Sequence, residues 1–213
     1  DVERSRGLGD VYKRQGRDII LIGHEGHPEV EGTLGRHNEK YGTRIYLVQD
    51  ESDALSLNVN DPDNLAYVTQ TTLSLDDTAE IINILNNRFP NLYKPKSKDI
   101  CYATQNRQDA VKQIALEVEM LIVIGSTNSS NSNRLKELAE RCNIESVLID
   151  NADDIDWEYI DKFNSIGITA GASAPESTVQ DVIKSLEGRF DTSSTDIGVN
   201  NETIYFKLPP ELR

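Results

Sequence analysis

Cysteine is close to absent from this chain of 213 residues, and that narrows the field at once. Only Cys101 and Cys142 occur, too few for a disulfide framework, so a reducing compartment, the cytoplasm, is the expected setting. Basic residues are also short: 22 Lys and Arg stand against 36 Asp and Glu, for a net charge of -14 and a pI near 4.6. Such a surface repels phosphate backbones, which excludes nucleic acid as a partner held by bulk charge. Long apolar runs are missing too. IILIG and LIVIG are far too short to cross a bilayer and no apolar signal core opens the chain, so no membrane association is expected. What remains is 37% hydrophobic, enough for ordinary buried cores.

Residues 1–15, DVERSRGLGDVYKRQ, alternate charges without an apolar period and read as a leader outside the fold. Beyond them the chain repeats one pattern: a short apolar run, a small polar loop, then helical spacing. The expected strands are DIILIG (18–23), RIYLVQ (44–49), LAYVTQ (65–70), DICYAT (99–104), MLIVIG (120–125), SVLID (146–150) and SIGITA (165–170). Helix starts follow at Pro28, at Ser74 with Asp76 and Asp77, and at Ser173–Glu176, where a capping box is expected. The fold class is therefore α/β, with two small domains, 16–97 and 98–188, each a mostly parallel sheet flanked by helices. RFPNLYKPKSK (88–98) reads as the linker between them, and 189–213 as a C-terminal tail with a short strand at ETIYFK.

In such sheets ligands bind beyond the carboxyl ends of the strands, so the βα loops carry the candidate chemistry. Four regions stand out: GHEGHPEVEG (23–32), TQTTLS (69–74), CYATQNRQ (101–108) together with STNSSNSN (126–133), and TAGASAP (169–175). Two readings fit His27, which precedes a Pro-initiated helix: a helix cap, or a partner for an anion at the helix N-terminus. Glu29 either complements the helix dipole or serves the ligand. The unbroken Ser, Thr and Asn run from Ser126 to Asn133 offers more donors than a cap requires and suggests an oxygen-rich ligand. Thr71 reads as local packing or hydrogen bonding, and Ser173 as an N-cap or a further donor. Cys101 stands at an expected strand end beside a polar loop, whereas Cys142 falls on an amphipathic helix and reads as packing. His24 is expected to be structural and His37 solvated. HEGH lacks the i, i+4 histidine pair of a helical zinc site. From spacing alone the chain is an α/β protein that binds a phosphorylated small molecule.

Taken together, ILIGHEGHPEVEGTLG, TQTTLSLDDT, DICYATQNRQDAV, VIGSTNSSNSNRLKELA and ITAGASAPESTVQDVI resemble one family, the 4-hydroxy-3-methylbut-2-enyl diphosphate reductases of the methylerythritol phosphate route to isoprenoids. The likeness runs from about Gly16 to Arg213, PPELR included. It implies an iron-sulfur oxidoreductase that makes isopentenyl and dimethylallyl diphosphate with electrons from an external donor such as ferredoxin or flavodoxin. By the same resemblance, Cys101 corresponds to one of three thiolate ligands of a [4Fe-4S] cluster. His27, Ser129, Ser130, Asn131 and Ser173 match positions that hold the diphosphate. Glu29 matches the proton-delivering acid, and Thr71 a hydroxyl that organises the substrate alcohol.

The family carries a further N-terminal α/β domain with the other two cluster cysteines and two more diphosphate histidines, and no counterpart is found here. The expectation is a fragment, the remnant of a three-domain architecture without a competent catalytic centre. Two alternatives stand beside it: a diphosphate-binding module without redox chemistry, and a non-redox enzyme acting on a phosphorylated metabolite.

Overall fold

The computed structural model describes residues 9–35, 42–95, 100–190, 192 and 194–197. Its strands are short and mostly apolar, and three of them, β1 (Asp18–Ile22), β3 (Leu65–Thr69) and β4 (Met120–Ile124), are buried along their whole length. That burial is what an apolar run without alternation requires, because both faces must be covered by helices. β1 sends Ile20 and Ile22 into a core closed by α3 (Glu51–Ser56) and α4 (Leu75–Arg88), through Ala54, Ile81 and Leu85. Ile19 and Leu21 face the other way, toward Tyr12 of α1 (described over 9–14) and Val30 of α2 (Pro28–Leu34). The second unit repeats the plan. Leu121 and Val123 of β4 meet α5 (Tyr102–Ile114) and α6 (Ser130–Arg141), while Ile122 and Ile124 meet α7 (Trp157–Ile160) and α8 (Glu176–Phe190).

Both sheets are three-stranded and parallel. Their orders are β2-β1-β3 and β5-β4-β6, with β2 at Ile45–Val48, β5 at Glu145–Ile149 and β6 at Ile166–Ala170. In each, the first strand is central; the chain passes to one side and then crosses to the other. The loops after the central strand and after the last strand therefore diverge at a topological switch point, where α/β sheets open a crevice. Those loops follow β1, β3, β4 and β6, and they hold His27, Thr71, Ser129 and Ser173.

Several expectations are corrected. Over its described residues, 100–104, DICYAT is not a strand: Cys101 is the N-cap of α5, and CYATQNRQ forms the first turns of that helix rather than a loop. The run is apolar enough to mimic a strand, but Thr104, Gln108 and Val111 are buried at helical spacing. Part of the expected linker is docked. Phe89 and Leu92 are buried, and Tyr93 N–H donates to Leu65 O at 2.9 Å, extending pairing beyond β3 and helping cover that edge strand. Residues 9–15, assigned to a leader by their charges, contribute Tyr12 to the first core. α8 begins at Glu176 with Pro175 O accepting from Val179 N–H, so Ser173 precedes the cap position and makes no capping box. ETIYFK, PPELR and His37 lie outside the described residues. Among the described residues, no helix is long and apolar enough to cross a membrane.

Candidate functional site

The first sheet supplies an acid that is held in place before any ligand arrives. His27 is extended at the N-cap of α2, and its Nδ1 accepts the Glu29 N–H at 3.2 Å. A neutral ring accepting there carries its proton on Nε2, which lies 2.7 Å from Ser130 Oγ and donates to it. Ser130 is thereby left with its own hydroxyl hydrogen to offer a ligand oxygen. Glu29 is 2% exposed, and its Oε2 accepts both the Thr71 N–H at 3.0 Å and the Thr71 hydroxyl at 3.1 Å. Because the Thr71 hydrogen points at the carboxylate, the lone pairs of Oγ1 can accept from an alcohol. The β1–α2 and β3–α4 loops thus form one hydrogen-bonded piece, and Gln70 adds to it by accepting the His24 N–H at 3.0 Å and donating to Thr72 Oγ1 at 3.0 Å.

The second sheet supplies donors without charge. Ser129 caps α6 by accepting the Ser132 N–H at 3.3 Å, so it too keeps a hydroxyl hydrogen for another acceptor. Asn131 is 6% exposed, yet neither its Nδ2 nor its Oδ1 has a protein partner. A buried amide left in this state costs stability unless a ligand satisfies it. Among the described helices of eight residues or more, α4 and α8 carry acids in the first turn, whereas α5 and α6 carry none. The positive poles of α5 and α6 are therefore left for an anion. Ser132 is wholly buried between Gly125 and Gly171, where a Cβ on either glycine would run into its hydroxyl. This close approach joins the β4–α6 loop to the β6–α8 loop, on which Ser173 is exposed two residues later. Arg107 reaches the same edge, donating through Nε to Ala170 O at 2.9 Å.

Contacts across the two sheets bring His27, Glu29, Thr71, Ser129, Ser130, Asn131 and Cys101 into one region. Cys101 N–H donates to Thr71 O at 3.2 Å, which sets the start of α5 against the Thr71–Glu29 pair. Cys101 is half-buried, forms no disulfide, and does not cap its helix through the thiol. It suits the place of one metal-ligating thiolate. A cluster needs several, and the donor set here does not provide them. Cys142 stands at the far end of α6, about 20 Å of helix from Ser129. Among the described residues, no three His, Cys, Asp or Glu side chains are grouped to hold a metal.

Around the site the junction is charged. Arg134 approaches His24 Nε2 at 3.3 Å, Asp77 at 3.8 Å and Glu137 at 2.7 Å. Loss of solvent around the ring, then the Arg134 charge, hold His24 below its ordinary 6.5. The hydrogen bond from Arg141 at 2.6 Å holds the Asp77 carboxyl below its usual range and raises Arg141 in turn. Arg107, Gln108 and Arg134 were not singled out in the sequence. For Gln108 a signal existed, its seven-residue separation from Cys101, but it becomes visible only once 102–114 is known to be helical.

Comparison with known proteins finds one family. A family model described as LytB protein matches residues 2–187. The chain is 55% identical over 202 residues to the 4-hydroxy-3-methylbut-2-enyl diphosphate reductase of Ectopseudomonas mendocina (strain ymp), covering 95% of this chain and 64% of that protein. The reductase of the same name from Saccharophagus degradans is also 55% identical, with 65% of its length covered. Among solved structures, the E-1-hydroxy-2-methyl-but-2-enyl-4-diphosphate reductase of Plasmodium falciparum superposes with a TM-score of 0.88 at 34% identity, over 99% of this chain and 66% of that one. The chain thus spans just under two thirds of the length of these relatives.

Proposed function

The chain belongs to the LytB protein family, and from that membership and the geometry of its two switch points we propose that it forms the diphosphate-binding and proton-holding part of a 4-hydroxy-3-methylbut-2-enyl diphosphate reductase. In this reading 16–97 and 98–188 are two domains whose facing loops close on one substrate. The hydroxyls of Ser129, Ser130 and Ser173 and the amide of Asn131 donate to the diphosphate. His27 fixes Ser130 for that task. A clamp of neutral donors at two helix N-termini suits a protein whose net charge is -14, since it needs no basic surface. Many hydrogen bonds to the diphosphate hold the carbon chain in one orientation, which is an effect on geometry rather than on bonds.

The substrate alcohol then lies against Thr71 Oγ1, with Glu29 behind it. In the reaction the allylic C–O bond breaks, two electrons and two protons enter, the oxygen leaves as water, and carbon gains hydrogen at either end of the allylic system. Isopentenyl and dimethylallyl diphosphate are the two products. At rest Glu29 accepts from the Thr71 hydroxyl; once it takes up a proton it donates back to Thr71 Oγ1, whose own hydrogen then turns to the leaving oxygen. Electrons come from an external carrier of the ferredoxin or flavodoxin class. A [4Fe-4S] cluster, which the family resemblance implies, would supply the redox chemistry, and Cys101 would be one of its ligands; further thiolates would have to come from beyond the residues described.

The observation that carries the proposal is the pairing of a preset carboxylate, Glu29 on Thr71, with a buried unpartnered amide, Asn131, across one 2.7 Å bridge from His27 to Ser130. It is tested by calorimetric titration of the chain with 4-hydroxy-3-methylbut-2-enyl diphosphate. Asn131→Ala and Ser130→Ala are each expected to weaken binding by about tenfold or more. Unchanged affinity in both variants would place the diphosphate elsewhere. Anaerobic reconstitution with iron and sulfide, with Cys101→Ala as the control, tests the thiol: a cluster that survives the substitution removes Cys101 from the ligand set.

A further inference from the structure

α5 enters the site at Cys101 and carries, two turns later on the same face, a residue that the chemistry above does not use. Gln108 is 2% exposed, and both ends of its amide cross to the loop after β3. Its Nε2 donates to Leu73 O at 2.8 Å, and its Oε1 accepts the Leu75 N–H at 3.1 Å. With the Cys101 N–H on Thr71 O, one helix grips that loop at three alternate residues, Thr71, Leu73 and Leu75. The first of them donates twice to Glu29.

The chemistry of the grip is selective. A carbonyl and an N–H two residues apart are matched by one neutral amide that donates at one end and accepts at the other. A carboxylate of the same length would set lone pairs against Leu73 O, and a methionine would take the partner from the buried Leu73 carbonyl and from the half-buried Leu75 N–H. No other contact made by Gln108 reaches the Ser129–Asn131 turn or the Ser173 loop among the hydrogen bonds of the described residues.

We propose that Gln108 is a positioning residue for alcohol recognition: it fixes the 71–75 loop so that Thr71 and Glu29 meet the substrate hydroxyl, and it takes no part in holding the diphosphate. The inference rests on the functional reading above and assigns to that site a separate support for each end of the substrate.

Two probes separate the ends, 4-hydroxy-3-methylbut-2-enyl diphosphate and dimethylallyl diphosphate, which shares the skeleton and lacks the hydroxyl. Titrated into the chain, the hydroxylated ligand is expected to bind about tenfold tighter, the worth of one well-placed hydrogen bond to a charged network. Gln108→Met should abolish that preference while leaving the affinity for dimethylallyl diphosphate within about twofold. Ser173→Ala should do the opposite, weakening both ligands alike and keeping the preference. Amide hydrogen exchange on the unliganded variant should quicken at Thr71 and Leu75 and stay slow at Ile122 in β4. A preference that survives Gln108→Met overturns this inference alone, as does unchanged exchange at Thr71. A wild-type chain that binds both ligands equally overturns the inference together with the assignment of the alcohol to Thr71, and a chain that binds neither overturns the functional reading, with exchange at Thr71 still deciding whether Gln108 holds the loop.

Discussion

The two sheets have the same topology and open the same kind of crevice, yet they treat polar groups there in opposite ways. At the first switch point the buried acid is met: Glu29 accepts two hydrogen bonds from Thr71, and His27 spends both ring nitrogens. At the second, the Asn131 amide and the Ser132 hydroxyl are buried and unmet. Of the remaining unmet atoms of the first unit, one is an exception to this contrast. Arg17 Nε and Thr43 Oγ1 sit ahead of strands, at the edge away from the site, which leaves Thr69 Oγ1 at the carboxyl edge among the described residues. A proton donor has to be oriented before the substrate arrives, whereas an anion clamp can leave its donors to be completed by the ligand. In the proposed function, one half is a finished fixture and the other is completed by its ligand.

That division can be broken most directly at Glu29. Glu29→Ala removes the acceptor for two buried donors, Thr71 N–H and Oγ1–H, and is expected to lower stability by about 3 kcal/mol in urea unfolding. A cost below about 1 kcal/mol would mean the pair is not a structural fixture. Gly171→Ala comes next. Its Cβ would strike the Ser132 hydroxyl, so a loss of about 2 kcal/mol is expected, recovered mostly in the Gly171→Ala, Ser132→Ala double variant. Additive effects would show that the two loops are not joined through that contact. Asn131→Ala sharpens the comparison because its sign differs: deleting an unmet amide should leave unliganded stability unchanged or raise it by about 1 kcal/mol, while the diphosphate affinity falls. A destabilised variant with intact affinity would reverse the roles assigned to the two sheets.

Much of this was legible before the structure. Six strands were readable because residues such as Ile19–Ile22 and Leu121–Ile124 are buried on both faces and need no alternation to announce themselves. His27 as cap, and a cap somewhere in the Ser/Asn run, were among the readings the residues offered, Pro28 being the sign in the one case; the structure puts the second cap at Ser129. Cys101 was placed incorrectly on a strand, since a buried helix stripe that includes Thr104 and Gln108 has no apolar period to detect. Its nearness to Thr71 was not readable at all, because a backbone hydrogen bond between two sheets leaves no mark in composition. Nor could spacing reveal that Glu29 would reach Thr71, 42 residues away. What sequence patterns encode is local period and local capping; what aligns the two crevices is a set of side chains on α5 and α6 whose partners are distant.

The charged junction gives the smallest and most specific test of that alignment, through pH. His24 Nε2 faces Arg134, which has no hydrogen-bond acceptor, so the ring takes part as an acceptor and is neutral. Its folded value lies below 6.5 first because the ring loses solvent, with Arg134 and His27 also opposing protonation and Glu137 and Asp77 favouring it. The unfolded chain therefore binds the proton more readily; the contribution of His24 is complete above about pH 6.5 and is lost as pH falls below that toward its folded value. Asp77 has the same sense lower down: with its carboxyl depressed, its contribution stands above the ordinary 3.8 and is lost as pH falls through the folded value. Since both groups are substantially exposed, each effect should be under about 1 kcal/mol and shrink in salt. Unfolding midpoints measured from about pH 7.5 down to about 3 should fall slightly between about 7.5 and 5 in the parent and less in His24→Gln, while Asp77→Asn should alter the slope only below about pH 5. A parent whose stability rises over the upper interval would mean that His24 gains its proton on folding, and that Arg134 is not the group holding the first crevice to the second.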